Sequence, residues 1–98
     1  MQASEWRPYE RGTLKGFFNL LLDSGLEIQS MTYHTKDGNS WVSFPAKPYE
    51  TEDGSTKYQS ILRIPDEKRW RAFQKLAQEA VENIRRNGQE EEGGEVPF

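Results

Sequence analysis

Basic and aromatic side chains are interleaved near the start of the chain, at Trp6, Arg7, Tyr9, Arg11 and Lys15. Arginine and lysine bind phosphate through charge-assisted hydrogen bonds, and aromatic rings stack on unpaired bases. Basic residues recur further along, so the sequence indicates a nucleic acid as a candidate ligand. These further basic positions include Lys47, Lys57, Lys68, Arg69, Arg71 and Lys75.

The charge of the chain is unevenly distributed. The formal net charge is −3, from 13 basic and 16 acidic side chains, and residues 87–98 hold four glutamates and no base. Residues 1–86 therefore carry 13 basic against 12 acidic side chains. Because the body is balanced, the overall acidity does not argue against a polyanionic partner.

The side chains of common enzyme sites are missing. The chain has no cysteine, which excludes disulfides, thiolate catalysis and cysteine-ligated metals. His34 is the only histidine and stands before a turn signal, where we expect a surface residue. Glu50, Glu52 and Asp53 share one segment without a histidine or lysine constellation, which favours a solvated loop. We therefore predict a protein that is not an enzyme and holds no cofactor or metal.

The chain is short for a protein with a single hydrophobic core. Its 98 residues form one domain near the size at which one core is only just adequate, which favours a homodimer. The most apolar stretch, "GFFNLLL" at 16–22, is too short to span a bilayer. We therefore expect a cytoplasmic protein.

Two strands joined by a turn are predicted first. The segment "TLKGFFNLLL" (13–22) alternates with period two, with Leu14, Phe18, Leu20 and Leu22 on the buried face. The turn signal "DSG" leads into "LEIQSMTYHT" (26–35) as the second strand of a hairpin. A bulge near Ser30 would bring the apolar residues of that strand onto one side. These residues are Leu26, Ile28, Met31 and Tyr33.

Two further strands and one helix complete the expected fold. Residues 40–45 form the third strand, residues 46–57 a polar loop that protrudes as a hairpin tip, and residues 58–64 the fourth strand. Asp66 caps a helix that ends at Asn87 and Gly88. The apolar positions of this helix are Trp70, Phe73, Leu76, Ala77, Ala80 and Ile84. The predicted class is α+β, a four-stranded antiparallel sheet followed by one C-terminal helix and a disordered acidic tail.

The chain divides into three predicted parts. Residues 1–12 are a flexible N-terminal arm, residues 13–87 a sheet-plus-helix nucleic-acid-binding domain, and residues 88–98 an acidic tail. If the even positions of the first strand pack on the helix, its odd positions and two residues of the third strand point to the opposite face. This outward set comprises Lys15, Phe17, Asn19, Trp41 and Ser43.

The body resembles the stage V sporulation protein G family over residues 13–84. The resemblance runs from "LLLDSGLEIQSM" through "DGNSWVSFPAKPYETEDGSTKYQSI" into the helix. It implies a small dimeric sheet-plus-helix fold that binds nucleic acid. The strand order is also similar to that of the whirly-type coactivators, which bind single-stranded DNA on a curved sheet. The matching features fall on Trp41, Val42, Ser43, Phe44, Pro45, Lys47, Asp53, Gly54, Tyr58 and Ile61.

The last residues, "EEEGGEVPF", resemble the acidic C-terminal tip of bacterial single-stranded DNA-binding proteins. The resemblance implies that a DNA-processing protein binds Glu95, Val96, Pro97 and Phe98, with the phenyl ring in an apolar pocket and glutamates steering toward a basic surface. Gly93 and Gly94 depart from that pattern and reduce the charge next to the tip. A solubilising acidic tail is the alternative.

These observations predict a non-enzymatic protein that binds single-stranded DNA and recruits replication, recombination or repair partners. We expect it to be nucleoid-associated or phage-encoded in a bacterial host. One alternative is a sporulation-protein-G-like regulator that binds duplex DNA or RNA, and another is a protein-interaction adapter. A dimer interface is an alternative role for the outward aromatic rings. The predicted nucleic-acid contacts are Arg7, Arg11, Lys15, Phe17, Trp41, Lys47 and Lys57.

Overall fold

A computed structural model describes the backbone of residues 1–94 and the side chains of residues 1–86. Strands β1 to β4 form one antiparallel sheet in chain order, and β5 and β6 form a separate two-stranded ribbon. The α+β prediction of a four-stranded antiparallel sheet and one C-terminal helix is confirmed. The elements are β1 (Gln2–Arg11), β2 (Leu14–Leu21), β3 (Glu27–Lys36), β4 (Asn39–Ser43), β5 (Ala46–Glu50), β6 (Thr56–Ser60) and α1 (Glu67–Gly94).

The N-terminal segment is a strand, so the prediction of a flexible arm over residues 1–12 is wrong. β1 pairs with β2 along its length, with register shifts between Ser4 and Arg7 and between Pro8 and Arg11. These irregularities interrupt the period-two pattern, which is why the sequence does not read as a strand. Bulges and a proline are typical of an edge strand, and β1 lies at the edge of the sheet.

The fourth predicted strand, residues 58–64, is not part of the main sheet. Only its first residues are extended, and they pair with β5 in the ribbon, which confirms a protruding hairpin between β4 and the helix. Its turn is built locally. The carboxylate of Asp53 accepts hydrogen bonds from the Thr51 hydroxyl and the Ser55 backbone N–H, and Gly54 adopts a φ of 85°.

The predicted bulge in β3 is confirmed. Phe18 pairs with Met31 and Leu20 with Ile28, so one residue of β2 lies opposite two of β3, and Ser30 has a φ of 62°. The extra residue brings Ile28, Met31 and Tyr33 into the core.

Two leucines of this hairpin do not join the core, contrary to expectation. Leu26 lies in the turn and is 58% exposed. Leu14 pairs with His34, because a second register shift, between Leu14 and Gly16, places Lys15 as an extra residue in β2.

The helix begins as predicted and covers one face of the sheet. Asp66 caps it, since its carboxylate accepts hydrogen bonds from the backbone N–H groups of Lys68 and Arg69 at 2.8 and 3.2 Å. Among its side chains up to residue 86, Phe73, Ala77 and Val81 are buried. The predicted helical core also included Leu76, which is 50% exposed.

The helix continues to Gly94, so the predicted end at Asn87 is wrong. A glycine inside a helix costs only about 1 kcal/mol, and Gln89 to Glu92 are good helix formers that extend the helix past Gly88. Residues 88–94 of the predicted disordered tail are therefore helical, and residues 95–98 lie outside the described residues.

Gln74 protects the open edge of the sheet at β4. Its Oε1 accepts a hydrogen bond from the Val42 backbone N–H at 3.0 Å, and its Nε2 donates to the Val42 carbonyl at 2.7 Å. Gln78 supports this amide by donating to Gln74 Oε1 and accepting a bond from Ser40. The helix thereby satisfies backbone groups that an edge strand would otherwise leave open to another chain.

Candidate nucleic-acid interface

The helix packs on one face of the sheet, and the opposite face carries most of the predicted contact residues. Cross-strand partners share a face. One row across the sheet contains Arg7, Phe17, Thr32 and Ser43, and the next contains Arg11, Leu14, His34 and Trp41. We call this surface the outer face. Register places Arg7, Arg11, Phe17 and Trp41 on it, and Lys15 is the extra residue beside Leu14, so five of the seven predicted contacts come together here.

Two aromatic pairs lie on the outer face. Tyr9 and Phe17 have ring centroids 6.0 Å apart at an interplanar angle of 40°. Tyr9 is 51% exposed and Phe17 half-buried. The second pair joins His34 and Trp41, whose rings stack at 5.3 Å with an angle of 2°. Both pairs leave ring surface accessible on a sheet face that no element of the described chain covers.

His34 is a functional candidate that the sequence did not reveal. It is half-buried, and its Nδ1 and Nε2 lie 3.0 Å from the hydroxyls of Thr13 and Thr32. Burial lowers the pKa of His34, which favours the neutral ring. His34 lies on the sheet surface as expected, and cross-strand pairing additionally places its ring against Trp41. The two threonines fix the imidazole plane, and the imidazole in turn fixes the indole.

The three basic side chains of the outer face differ in whether they already make hydrogen bonds and ion pairs within the protein. Arg7 donates hydrogen bonds to the Glu5 carbonyl at 3.0 Å and to Asn19 Oδ1 at 3.4 Å, and one of its nitrogens lies 3.7 Å from the Glu5 carboxylate. Within the described part of the chain, Arg11 and Lys15 make no side-chain hydrogen bond or ion pair. They are therefore the bases most available to phosphate.

Asn19 and Trp6 do not contribute to the exposed surface. Asn19 was expected to point outward, but it is only 4% exposed, and its Oδ1 accepts a hydrogen bond from the Ser30 backbone N–H at 3.1 Å. Trp6 turns toward the helix, where its ring meets Tyr33 edge-on at 6.2 Å and lies 5.1 Å from the Arg85 guanidinium. The bulge after Ser4 causes this inward turn, because it breaks the alternation of β1.

Lys47 and Lys57 lie apart from the outer face, on the ribbon. Pairing of Lys47 with Gln59 and of Tyr49 with Lys57 places all four residues on one face of the ribbon. The structure therefore divides the seven predicted contacts between two surfaces. The predicted partner-binding residues Glu95, Val96, Pro97 and Phe98 lie outside the residues that the structure describes.

The described part of the chain was compared with the requirements of a metal site and of a membrane span. Within residues 1–86, no group of three or more histidine, aspartate or glutamate side chains is placed to hold a metal ion. No helix in the described region is long and apolar enough to cross a membrane.

No family model matches the sequence, and comparison with curated proteins and with solved structures finds no similar chain. The resemblances described above therefore remain predictions.

Proposed function

We propose that this protein is a non-enzymatic, homodimeric binder of single-stranded DNA that reads little sequence. Its outer face stacks bases and contacts phosphates, and its acidic C-terminal segment recruits a DNA-processing protein. The observation that carries the proposal is the pairing of Tyr9 with Phe17 and of His34 with Trp41 beside Arg11 and Lys15, on the sheet face opposite the helix.

The composition of the outer face favours single strands over a duplex. A flat aromatic ring can stack only on a base whose face is free, which a duplex does not offer. Each stacked base contributes about 1–3 kcal/mol in such proteins, and stacking accepts every base. Arg11 and Lys15 supply the sequence-independent attraction to the backbone. Because the charge of residues 1–86 is close to zero, DNA binding by this protein relies more on stacking than on charge. The affinity for DNA should therefore depend only modestly on salt concentration.

Intrinsic fluorescence tests the proposal directly. A thymidine oligonucleotide should quench tryptophan fluorescence more strongly than a duplex of equal length. The signal should be lost in a Trp41→Ala variant and kept in a Trp70→Phe variant, since Trp70 packs on Phe44 and Phe73 on the helix side. Equal binding of the duplex, with sensitivity to Arg69→Ala and Lys75→Ala, would instead favour the regulator that uses the helix. No response to either nucleic acid would refute the proposal and favour an adapter.

The acidic segment is proposed to compete with DNA as well as to recruit a partner. Changing Glu90, Glu91, Glu92 and Glu95 to glutamine keeps good helix formers and removes the charge. This variant should bind DNA more tightly at low salt and should no longer bind the DNA-processing protein. Unchanged DNA affinity would refute the competition. Sedimentation with and without DNA tests the dimer and shows whether the outer face is free in it.

A further inference from the structure

The ribbon formed by β5 and β6 stands out from the rest of the fold. All ten residues of its two strands are exposed. Both strands are therefore accessible to a ligand.

The register of the ribbon separates two chemically different faces. One face carries Ala46, Pro48 and Tyr58, and the other carries Lys47, Tyr49 and Lys57, with Gln59 beside Lys47. Basic side chains are thus confined to one face of the ribbon. The single acidic residue within its strands, Glu50, lies on the other face.

The face with Ala46 and Tyr58 borders a cleft against the body of the protein, although Tyr58 is itself 70% exposed. Ala46, Tyr58 and Ser60 line a cleft of about 430 Å³, together with Ile64 and Trp70. The alternation of a strand then directs Lys47, Tyr49 and Lys57 away from this cleft. Both rings are accessible, with Tyr49 45% and Tyr58 70% exposed, and the two lysines distinguish the face that carries Tyr49. In the region described, none of the side chains of Lys47, Tyr49 and Lys57 makes a hydrogen bond, an ion pair or a ring contact.

We propose that the face formed by Lys47, Tyr49, Lys57 and Gln59 is a second contact for the same single strand of nucleic acid. Tyr49 stacks on one base, and the two lysines bind the flanking phosphates. Charge complementarity and the free ring together favour this ligand over a second copy of the chain. The inference rests on the proposed function and assigns Tyr49, a residue outside the predicted contacts, to the binding site.

The tip of the ribbon limits where the strand can pass. Glu52 and Asp53 lie in the turn, and both carboxylates are charged at neutral pH. Hydrogen bonds from Thr51 and Ser55 lower the pKa of Asp53 further, to about 2. A polyanion is repelled from this end. The path therefore crosses the strands of the ribbon below the turn, at Tyr49 and its flanking lysines.

The two tyrosines of the ribbon provide a matched test. Tyr49→Ala and Tyr58→Ala remove the same ring from opposite faces of the same hairpin. Binding of thymidine oligonucleotides of about 4 to 16 nucleotides is measured by anisotropy of a labelled strand. For the longest strand, Tyr49→Ala should weaken binding about 5- to 150-fold, as loss of one stacked base predicts. Tyr58→Ala should have no such effect, and Tyr49→Phe should restore affinity.

The dependence of binding on oligonucleotide length and on salt concentration distinguishes the ribbon contact from the outer face. The shortest strands can occupy only the outer face, so Tyr49→Ala should not affect them, whereas Trp41→Ala should weaken binding at every length. Replacing Lys47 and Lys57 by glutamine should reduce the slope of log K against log salt by about 1.4 for long strands, because each lost phosphate contact contributes about 0.7.

The failure of this inference is distinguishable from failure of the proposed function. If the unmodified protein binds strands of every length and Tyr49→Ala equals Tyr58→Ala throughout, the ribbon contact is refuted and the outer face stands. If the unmodified protein binds no single strand, both are refuted. A change in sedimentation with Tyr49→Ala in the absence of DNA would assign this face to a second copy of the chain and overturn the proposal.

Discussion

Replacing Gly16 by alanine tests the position of β1, the element that the sequence concealed. A Cβ atom at residue 16 would lie 2.5 Å from the Trp6 ring and 2.7 Å from the carbonyl oxygen of Arg7. The indole can tilt, but the carbonyl belongs to the backbone of a paired strand. The substitution therefore forces β1 away from β2.

The size of the effect follows from two opposing terms. Overpacking of this kind costs about 1–3 kcal/mol, and a backbone contact that no rotamer relieves belongs in the upper part of that range. Alanine also has less conformational entropy than glycine in the unfolded chain, which stabilises the folded state by about 0.4–1 kcal/mol. The net destabilisation is about 2 kcal/mol. For a domain of this size, that lowers Tm by about 8–16 °C.

Thermal unfolding followed by circular dichroism measures this change, with Gly16→Ala compared to the parent. In the Trp6→Ala background the penalty of Gly16→Ala should shrink but persist, since the Arg7 carbonyl remains. A flexible arm at residues 1–12 would leave only the entropic term, and alanine would then raise Tm by a few degrees. A rise, or no change, would refute the placement of β1 over Gly16.

Three further predictions concern the sheet edge, the histidine and the helix start. Gln74→Leu should destabilise the protein by about 1–3 kcal/mol, because it leaves the Val42 backbone groups unpaired. Urea unfolding measures this loss, and concentration-dependent light scattering should show self-association through the open edge of β4, whereas Gln78→Leu should cause neither to the same degree. Because burial lowers the folded-state pKa of His34 below 6.5, the unfolded chain binds the proton first. The free energy of unfolding should therefore fall as pH drops below about 6.5, and the same titration of His34→Gln should lack this component. Asp66→Ala should lower the urea midpoint by the equivalent of about 1 kcal/mol through loss of the helix cap, and an unchanged midpoint would contradict the capping geometry.

Local signals in the sequence account for the parts of the fold that were predicted. The alternation around Phe18 and Leu20, the break in alternation at Ser30 and the capping position of Asp66 depend on near neighbours, and each prediction is confirmed. The outward direction of Phe17 follows from the same alternation. Asn19 shares that alternation but is buried, because a bulge brings the Ser30 backbone to its side chain.

Long-range pairing explains the parts that were missed. β1 is polar and carries two bulges, so only its pairing with β2 makes it a strand. The stack of His34 on Trp41 depends on the register between β3 and β4, which turn residues alone do not specify. The bidentate contact of Gln74 with Val42 joins residues far apart in the chain, and a glutamine on a helix has no sequence signal for such a role.

The sequence by itself determined the α+β class, the α1 start, the hairpin with its bulge, and the residue types available for a polyanion. Hydrophobic periodicity and capping are local properties, so composition and spacing are enough to specify them. The tertiary structure alone decided which bases and rings share a surface. It placed Arg11, Phe17 and Trp41 on the outer face and moved Lys47 and Lys57 to the ribbon. Shared surfaces depend on strand order and register, which arise from packing between segments distant in sequence.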